Sequence, residues 1–189
     1  MVILYPTETL YALGVNALDP VALDKLYTLK GRDSEKVASW LVRGVEDIKR
    51  YAELPPKAVK IAEHFLPGSI TLVLKVKDFI ADEVVAPDRT IGFRVTDDPM
   101  AEKIIDAWMA KYDAPLTCTS ANVSGAPTYN VPGEILQQFG EKAQMIEEIH
   151  DDGPRKGLAS TVVRVVGDEV TVLREGRVTE KEILEIANS

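Results

Sequence analysis

Short apolar runs alternate along the chain with segments that have helical periodicity. The first run, Val2-Ile3-Leu4-Tyr5, is stopped by Pro6 and is typical of a buried strand. Further strands are predicted at 37–42, 70–77, 90–95, 145–150, 161–166 and 169–174, the last two as a hairpin around Gly167-Asp168. Helices are predicted at 20–30, 45–52, 56–65, 100–112, 132–139 and after Thr179.

Aspartate–proline pairs mark two of the helix starts. Asp19-Pro20 and Asp98-Pro99 each place a capping carboxylate before a proline at the first helical position. Thr179 and Glu182 have the spacing of a capping box for the final helix. Strands and helices interleave without a repeat or a linker, so the pattern predicts one α/β domain over residues 1–189 with a mixed sheet.

Composition narrows the class of protein. With 189 residues, 46% of them hydrophobic and 28% charged, the chain can bury one sizeable core. No apolar run approaches the ~20 residues of a membrane helix, and the N-terminus lacks the features of an export signal. We therefore expect a cytoplasmic protein without membrane association, and the single cysteine is consistent with that.

The formal net charge of −8 argues against general nucleic-acid binding, since proteins that hold phosphate backbones are usually basic. An acidic net charge is still compatible with a local basic pocket for a small anion. Neither a P-loop nor a dinucleotide fingerprint is present in the sequence. His64 and His150 lack zinc-ligand spacing with Cys118, so no metal site is predicted, and Cys118 fits a small buried thiol better than a nucleophile.

Two segments carry candidate chemistry. Cys118 to Gly125 brings two serines, an asparagine and a flexible glycine directly after an apolar run, where open α/β sheets bind ligands. The same segment is also consistent with an ordinary polar turn. Lys30-Gly31-Arg32 lies at a predicted helix end, where its cations could bind an anion or simply favour the helix dipole.

Several further polar residues lie at element ends or outside helices, and Arg94 requires a partner if its strand is buried. Cations and hydroxyls of this kind suit a nucleotide triphosphate together with a small zwitterion. The set is Thr7, Thr9, Lys30, Arg32, Lys36, Arg94, Ser120, Asn122, Ser160 and Arg174.

The motifs, in their order and spacing, resemble the YrdC/TsaC family of threonylcarbamoyl-adenylate synthases from end to end. The matching segments are Tyr5-Pro6-Thr7-Glu8-Thr9-Leu10-Tyr11-Ala12-Leu13-Gly14, Lys30-Gly31-Arg32, Pro67-Gly68-Ser69-Ile70-Thr71, Gly92-Phe93-Arg94-Val95, Thr119-Ser120-Ala121-Asn122-Val123-Ser124-Gly125, Ser160-Thr161-Val162 and Leu173-Arg174-Glu175-Gly176. The resemblance implies a twisted, mixed open sheet flanked by helices (YrdC/RibB-like) with a central, concave, positively charged cavity.

The resemblance also implies a reaction. L-threonine, bicarbonate and ATP, with Mg²⁺, would give threonylcarbamoyl-adenylate and pyrophosphate for tRNA modification, and a TsaD/Kae-type transferase would take up the product. Direct tRNA binding is expected to be weak or absent.

Roles follow from the resemblance residue by residue. The catalytic set would be Lys30, Arg32, Ser120 and Asn122, which hold the phosphates or their Mg²⁺. ATP would contact Arg32, Lys36, Thr90, Ser120, Asn122, Thr128 and Arg174. Threonine would contact Thr7, Thr9, Arg94, Cys118 and Ser160, with Arg94 pairing the substrate carboxylate.

The chain departs from the family pattern in three respects. Ala12 stands where the family often has glycine, and Leu41 stands where many members have a pocket histidine. The sequence also resembles a minimal, one-domain form. Two other functions are alternatives. One is a non-catalytic RNA-binding module, which the net charge disfavours. The other is a carbamoyl-adenylate chemistry like that of hydrogenase maturation proteins, whose acylphosphatase and zinc-finger regions this sequence does not contain.

Overall fold

The computed structural model describes residues 1–32 and 37–189, and the predicted site residue Lys36 lies outside them. The strands within this part of the chain are β1 Ile3–Pro6, β2 Tyr11–Gly14, β3 Ser39–Leu41, β4 Ile70–Lys75, β5 Thr90–Arg94, β6 Leu116–Ser120, β7 Glu148–Ile149, β8 Thr161–Val166 and β9 Glu169–Arg174. The helices are α1 Pro20–Lys30, α2 Val45–Tyr51, α3 Pro56–Phe65, α4 Pro99–Tyr112, α5 Pro132–Phe139 and α6 Glu180–Asn188. Short 3-10 helices cover Asp82–Val84 and Gly140–Met145.

The described strands form one mixed sheet in the order β7-β1-β2-β6-β3-β5-β4-β8-β9. Strand β3 lies at its centre, and its neighbour β6 runs antiparallel to both β2 and β3. Parallel pairs join β3 to β5 and β4 to β8. The predicted fold class, an α/β domain with a mixed open sheet, is confirmed.

Local sequence signals account for the helix starts. The Asp19 carboxylate accepts hydrogen bonds from the backbone N–H groups of Val21 (2.9 Å) and Ala22 (3.2 Å). Asp98 caps α4 in the same manner, and Thr179 with Glu182 completes the predicted capping box. Each cap satisfies backbone donors that a helix start would otherwise leave without a partner.

The prediction for residues 145–150 was largely wrong. Met145 ends a 3-10 helix, and only Glu148–Ile149 form a strand, which pairs in parallel with β1. Both β7 residues are exposed at the edge of the sheet. A segment at an edge has one neighbour to pair with, so its apolar pattern is a weak guide to strand length.

The two faces of the sheet differ at its centre. Trp40 of β3 packs edge-on against Tyr51 of α2 and Phe93 of β5, with ring centroids 5.8 and 5.6 Å apart. Side chains alternate along a strand, so Ser39 and Arg94 face the opposite side. That side holds the cavity described below. None of the described helices combines the length and apolarity needed to cross a bilayer.

Candidate active-site cavity

A cavity of about 220 Å³ opens on the sheet face opposite Trp40 and Phe93. Its floor crosses the middle of the sheet: Cys118 of β6 lies beside Ser39 of β3 in register, and Thr71 of β4 lies beside Val162 of β8. The described lining residues are Thr7, Thr9, Leu10, Tyr11, Ala12, Arg32, Val37, Ser39, Thr71, Arg94, Cys118, Thr119, Ser120, Ala159, Ser160, Val162 and Arg174. The sheet therefore brings together motifs that are far apart in the sequence.

The cavity is electropositive. Arg32, Arg94 and Arg174 line it, and no carboxylate does so among residues 1–32 and 37–189. Burial lowers the pKa of Arg32, and burial together with the positive charge of Arg94 lowers the pKa of Arg174. A buried cation whose charged form is disfavoured is stabilised when an anion binds beside it. The arrangement suits a polyanionic ligand.

Arg94 has the partner that its apolar surroundings require. The guanidinium Nη2 donates to Glu8 Oε1 and to Thr9 Oγ1 (3.2 Å), and Nη1 lies 3.6 Å from Cys118 Sγ. Burial alone would lower the pKa of Arg94, but the opposing effects of Cys118 and Glu8 raise it above its ordinary value. Arg94 is thus a fixed cation in the floor of the cavity.

Glu8 is the residue that fixes Arg94. Its second carboxylate oxygen accepts a hydrogen bond from Thr96 Oγ1 at 2.8 Å. The side chains of Glu8 and Arg94 are only 7% and 10% exposed. A buried ion pair needs its remaining hydrogen bonds satisfied to be tolerated, and Thr96 and Thr9 provide them.

Lys30 occupies a different place from the one the motif suggested. Its ammonium donates to the backbone oxygens of Ser120 and Asn122 (2.9 Å for Asn122) and to Asn122 Oδ1 (3.4 Å). The residue is 2% exposed and does not line the cavity. Lys30 therefore holds the loop after β6 from behind, as a positioning residue for Ser120.

Asn122 braces the same loop. Its Oδ1 accepts from Ser120 Oγ at 2.6 Å, and its amide nitrogen donates to the Ala126 carbonyl at 2.7 Å. Ser120 lines the cavity, whereas Asn122 does not. Backbone hydrogen bonding also ties the loop to α1, because Ser124 N–H donates to the Lys30 carbonyl at 2.8 Å. Lys30, Ser120 and Asn122 thus meet in one hydrogen-bond network.

The ionisation of Lys30 predicts a pH-dependent stability. Burial, and secondarily the charge of Arg32, lower its pKa to about 7. Between about pH 7 and pH 10.5 the unfolded chain holds this proton while the folded protein does not, so the free energy of unfolding rises with pH there. The destabilising contribution is fully present below pH 7.

Denaturant unfolding of the wild type and of Lys30→Met across this window tests the prediction. The wild type should gain stability relative to the variant by up to ~1.4 kcal/mol per pH unit. Identical pH slopes for the two proteins would contradict it.

The residues predicted to bind threonine cluster on the other side of the cavity. Thr9 Oγ1 lies 2.9 Å from Thr7 Oγ1, which itself donates to the Leu10 carbonyl at 2.7 Å. Ser160 Oγ lies 2.9 Å from Thr71 Oγ1. All of these residues and Cys118 line the cavity.

Arg174 joins the two sides of the cavity. It lies at the rim, and its Nη2 donates to the Ser160 carbonyl at 2.8 Å and lies 3.4 Å from Ser160 Oγ. Arg32 is anchored in the cavity wall by hydrogen bonds to Thr119 Oγ1 (3.1 Å) and the Val37 carbonyl (3.2 Å). The predicted nucleotide and amino-acid residues are therefore neighbours.

Some predicted residues lie elsewhere. Thr90 begins β5, where its hydroxyl donates to Asp88 at 2.7 Å, and it does not line the cavity. Thr128 is exposed in the loop after β6 and is also outside the lining. Leu41, the position aligned with a family histidine, is fully buried and outside the lining, whereas Ser39 of the same strand lines the cavity.

Sequence reasoning missed Ser39, Thr71 and Thr119, which line the cavity, and Glu8, which pairs with Arg94 from outside the lining. Glu8 and Thr71 lie within quoted motifs, but no role was assigned to them. The signal for Ser39 and Thr71 was the two-residue alternation of a strand, which places them on one face with Arg94 once the register is known. Register itself is a property of the folded sheet.

The fold and its cavity define the class: an α/β protein whose open, mixed sheet carries a basic cavity on one face. A family model named for Sua5, YciO and YrdC, and described as "Telomere recombination", matches residues 1–176. The chain belongs to this family.

Relatives in the family share much of the chain. A putative threonylcarbamoyl-AMP synthase of Methanocaldococcus jannaschii is 34% identical over 175 residues, 93% of this chain and 79% of the relative. The threonylcarbamoyl-AMP synthase of Bacillus subtilis is 33% identical over 188 residues, 96% of this chain and 51% of the relative. The crystal structure of Pyrococcus abyssi Sua5 complexed with L-threonine is 30% identical, with a TM-score of 0.86.

Coverage differs among these relatives. The alignment with Pyrococcus abyssi Sua5 includes 98% of this chain and 53% of the other. The chain thus spans about half the length of the Bacillus and Pyrococcus relatives, and most of the Methanocaldococcus one.

The donor set of the cavity is a poor match for a resident metal. Mg²⁺ is usually held by one or two carboxylates together with substrate phosphates. Among residues 1–32 and 37–189 no group of three His, Cys, Asp or Glu side chains could hold a metal ion. Ser120 offers a hydroxyl, while Asn122 Oδ1 already accepts hydrogen bonds from Ser120 and Lys30. The described residues fit anionic phosphates better than a bare cation.

Proposed function

We propose that this protein is an L-threonylcarbamoyladenylate synthase, a nucleotidyltransferase. It joins L-threonine, bicarbonate and ATP into threonylcarbamoyl-AMP and releases pyrophosphate and water. The observation that carries the proposal is the composition of the cavity lining. Three arginines, Arg32, Arg94 and Arg174, line the cavity together with the hydroxyls of Ser120 and Ser160. No carboxylate of the described residues lines it. The names of the relatives support the same activity.

The phosphate end is assigned to Arg32, Ser120 and Arg174. Guanidinium groups present paired N–H donors that match phosphate oxygens, and hydroxyls complete the set. Lys30 and Asn122 act indirectly by holding the Ser120 loop, through the hydrogen bonds that join all three residues. Lys36, Thr90 and Thr128 are proposed nucleotide contacts from the family resemblance alone, since Thr90 and Thr128 lie outside the cavity lining and Lys36 lies outside the described residues.

The amino-acid end is assigned to Thr9, Arg94 and Ser160. Arg94 is a fixed cation that the carboxylate of threonine can approach from the cavity, while Glu8 holds its far side. Thr7 supports Thr9, and the Cys118 thiol forms part of the wall.

The chemistry requires no protein nucleophile. The threonine amine attacks the carbon of bicarbonate or of CO₂ derived from it, and a carbamate forms with loss of water. A carbamate oxygen then attacks the α-phosphate, and pyrophosphate leaves. Holding the two substrates in line supplies up to ~7–11 kcal/mol of the barrier, and the cavity cations stabilise charge on the phosphates.

The enclosed volume of about 220 Å³ is below the roughly 300–1,000 Å³ typical of ligand pockets. We therefore assign the threonine and the triphosphate to the enclosed part, and the nucleoside to the mouth of the cavity. Mg²⁺ would enter on the phosphates as part of the substrate.

The wider setting follows from the product. A reactive adenylate is suited to transfer by a separate TsaD/Kae-type enzyme to tRNA, in the cytoplasm. Because the net charge is −8, direct tRNA binding by this chain is proposed to be weak or absent. An RNA-binding module without catalysis would instead bind tRNA in a salt-dependent way and release no pyrophosphate.

Pyrophosphate release with one substrate omitted at a time tests the proposal. Release should require L-threonine, bicarbonate and ATP together. Release that does not depend on threonine, or its absence with all three present, would contradict the assigned activity. Replacing bicarbonate and threonine by carbamoyl phosphate should give no turnover, which separates this activity from carbamoyl-adenylate chemistry.

Cys118→Ser is expected to retain activity within about threefold, because the thiol forms part of the wall and takes no part in bond making. The hydroxyl is smaller but still faces Arg94. Initial rates at saturating substrates measure the effect. A complete loss of turnover in a folded variant would show that the reaction uses the thiol.

A further inference from the structure

Gly92 lies beneath the cavity floor, in the middle of β5. A Cβ atom built there would lie 2.7 Å from Ser39 Oγ and 2.7 Å from Thr71 Cγ2. The backbone of Gly92 is outside the left-handed region, so its conformation alone does not require glycine. Glycine inside a strand then marks a place where neighbouring atoms approach closely.

The two side chains that meet over Gly92 both line the cavity. Thr71 also contacts Ser160 through their hydroxyl oxygens, 2.9 Å apart, and Ser160 is only 3% exposed. The place of the Ser160 hydroxyl therefore depends on Thr71. The place of Thr71 depends in turn on the missing side chain of residue 92.

We propose that Gly92 determines amino-acid specificity at this cavity and that Thr71 is the positioning residue through which it acts on Ser160. The inference rests on the proposed function, since it concerns how the same cavity selects its amino acid. The hydroxyl pair of Thr71 and Ser160 favours a short substrate side chain that carries a hydroxyl. The floor above Gly92 sets how much further such a side chain can extend.

A side chain at residue 92 has to displace its neighbours. Contacts below 3.0 Å to a Cβ are essentially never seen, so Ser39 or Thr71 must move. Movement of Ser39 changes the floor, and movement of Thr71 loosens its contact with Ser160. Both consequences fall on the amino-acid end of the cavity, whereas the atoms nearest to the added Cβ include none from Arg32 or Ser120.

Gly92→Ala is therefore expected to raise KM for L-threonine by about 10-fold or more, in the range that small steric changes produce in pockets. KM for ATP should stay within about twofold. A general loss of folded protein would not raise the KM for threonine while leaving the KM for ATP unchanged. The matched control is Gly133→Ala in α5, where an added Cβ meets no atom within 4 Å. This control should leave both constants unchanged.

A compensating background sharpens the test. Ser39→Ala with Thr71→Ser removes the two atoms that would lie 2.7 Å from the new Cβ while keeping the hydroxyl that faces Ser160. In that background the added Gly92→Ala should cost less than about threefold in threonine KM, a coupling that neighbouring residues show in double-mutant cycles. An equal cost in both backgrounds would overturn the inference.

Thr71→Val covers the case in which Gly92→Ala does not fold. The substitution keeps the shape of the side chain and removes the hydroxyl that contacts Ser160. Threonine KM should rise while ATP KM does not, and an unchanged threonine KM would overturn the inference. An active wild type with an unaffected Gly92→Ala contradicts this inference alone, whereas a wild type without threonine-dependent pyrophosphate release contradicts the proposed function as well.

Discussion

Arg32→Ala is expected to slow threonine-dependent pyrophosphate release by about 10²–10³-fold, the cost of removing one preorganised charge-stabilising donor. Arg32 lies in the cavity wall, anchored by Thr119 and the Val37 carbonyl, and burial lowers its pKa. Phosphates bound there would stabilise its guanidinium. Its loss should therefore appear in turnover rather than in stability.

The matched control for Arg32→Ala is Arg50→Ala. Arg50 of α2 makes an exposed, bidentate ion pair with Asp113, and neither residue lines the cavity. Initial rates and melting temperatures of both variants distinguish the roles. If the melting temperature of Arg32→Ala falls in proportion to its activity, Arg32 stabilises the end of α1 and the cavity wall and does not bind the substrate.

Glu8→Ala is expected to lower the free energy of unfolding by about 3–5 kcal/mol, as for other buried ion pairs that lose one partner. The Arg94 guanidinium would keep its burial and lose its carboxylate, and its Nε already has no hydrogen-bond partner within the described part of the chain. For a chain of this length such a loss corresponds to a fall of roughly 10 °C in melting temperature.

Two further variants test whether the unpaired charge of Arg94 causes the loss of stability. Glu8→Ala combined with Arg94→Met removes both charges and should be more stable than Glu8→Ala alone. Asp113→Asn, in the exposed pair with Arg50, should leave the melting temperature almost unchanged. If Glu8→Ala unfolds no more easily than Asp113→Asn, the Glu8–Arg94 pair is not the support of the cavity floor.

The fold class was predictable from the chain because its local signals agree with one another. Capping residues such as Asp19, Asp98 and Thr179 set helix starts that the structure reproduces. Strand lengths were less predictable: β3 covers only Ser39–Leu41, because pairing on both sides decides where a strand ends.

The composition of the cavity was predictable only in part. Motif residues such as Arg32, Arg94 and Ser120 line it. The roles of Lys30 and Glu8 depend on which way each side chain turns from its backbone, and the sequence does not determine that. Lys30 turns under the Ser120 loop, and Glu8 turns towards Arg94.

The contacts of Gly92 were likewise not predictable from the sequence alone. Its motif was visible, but its closeness to Ser39 and Thr71 follows from the pairing of β5 with β3 and β4. Such cross-strand contacts are set by register, which a single sequence specifies only through the completed sheet.

The most direct measurement is to supply labelled bicarbonate with L-threonine and ATP and to analyse the nucleotide products by mass spectrometry. The proposed activity predicts an adenylate that contains threonine and carries the label, formed together with pyrophosphate. Arg32→Ala should form little of it, and Arg50→Ala should form it at the wild-type rate. Pyrophosphate without a labelled adenylate, or a labelled product that lacks threonine, would contradict the assignment of this cavity as a threonylcarbamoyl-adenylate synthase site.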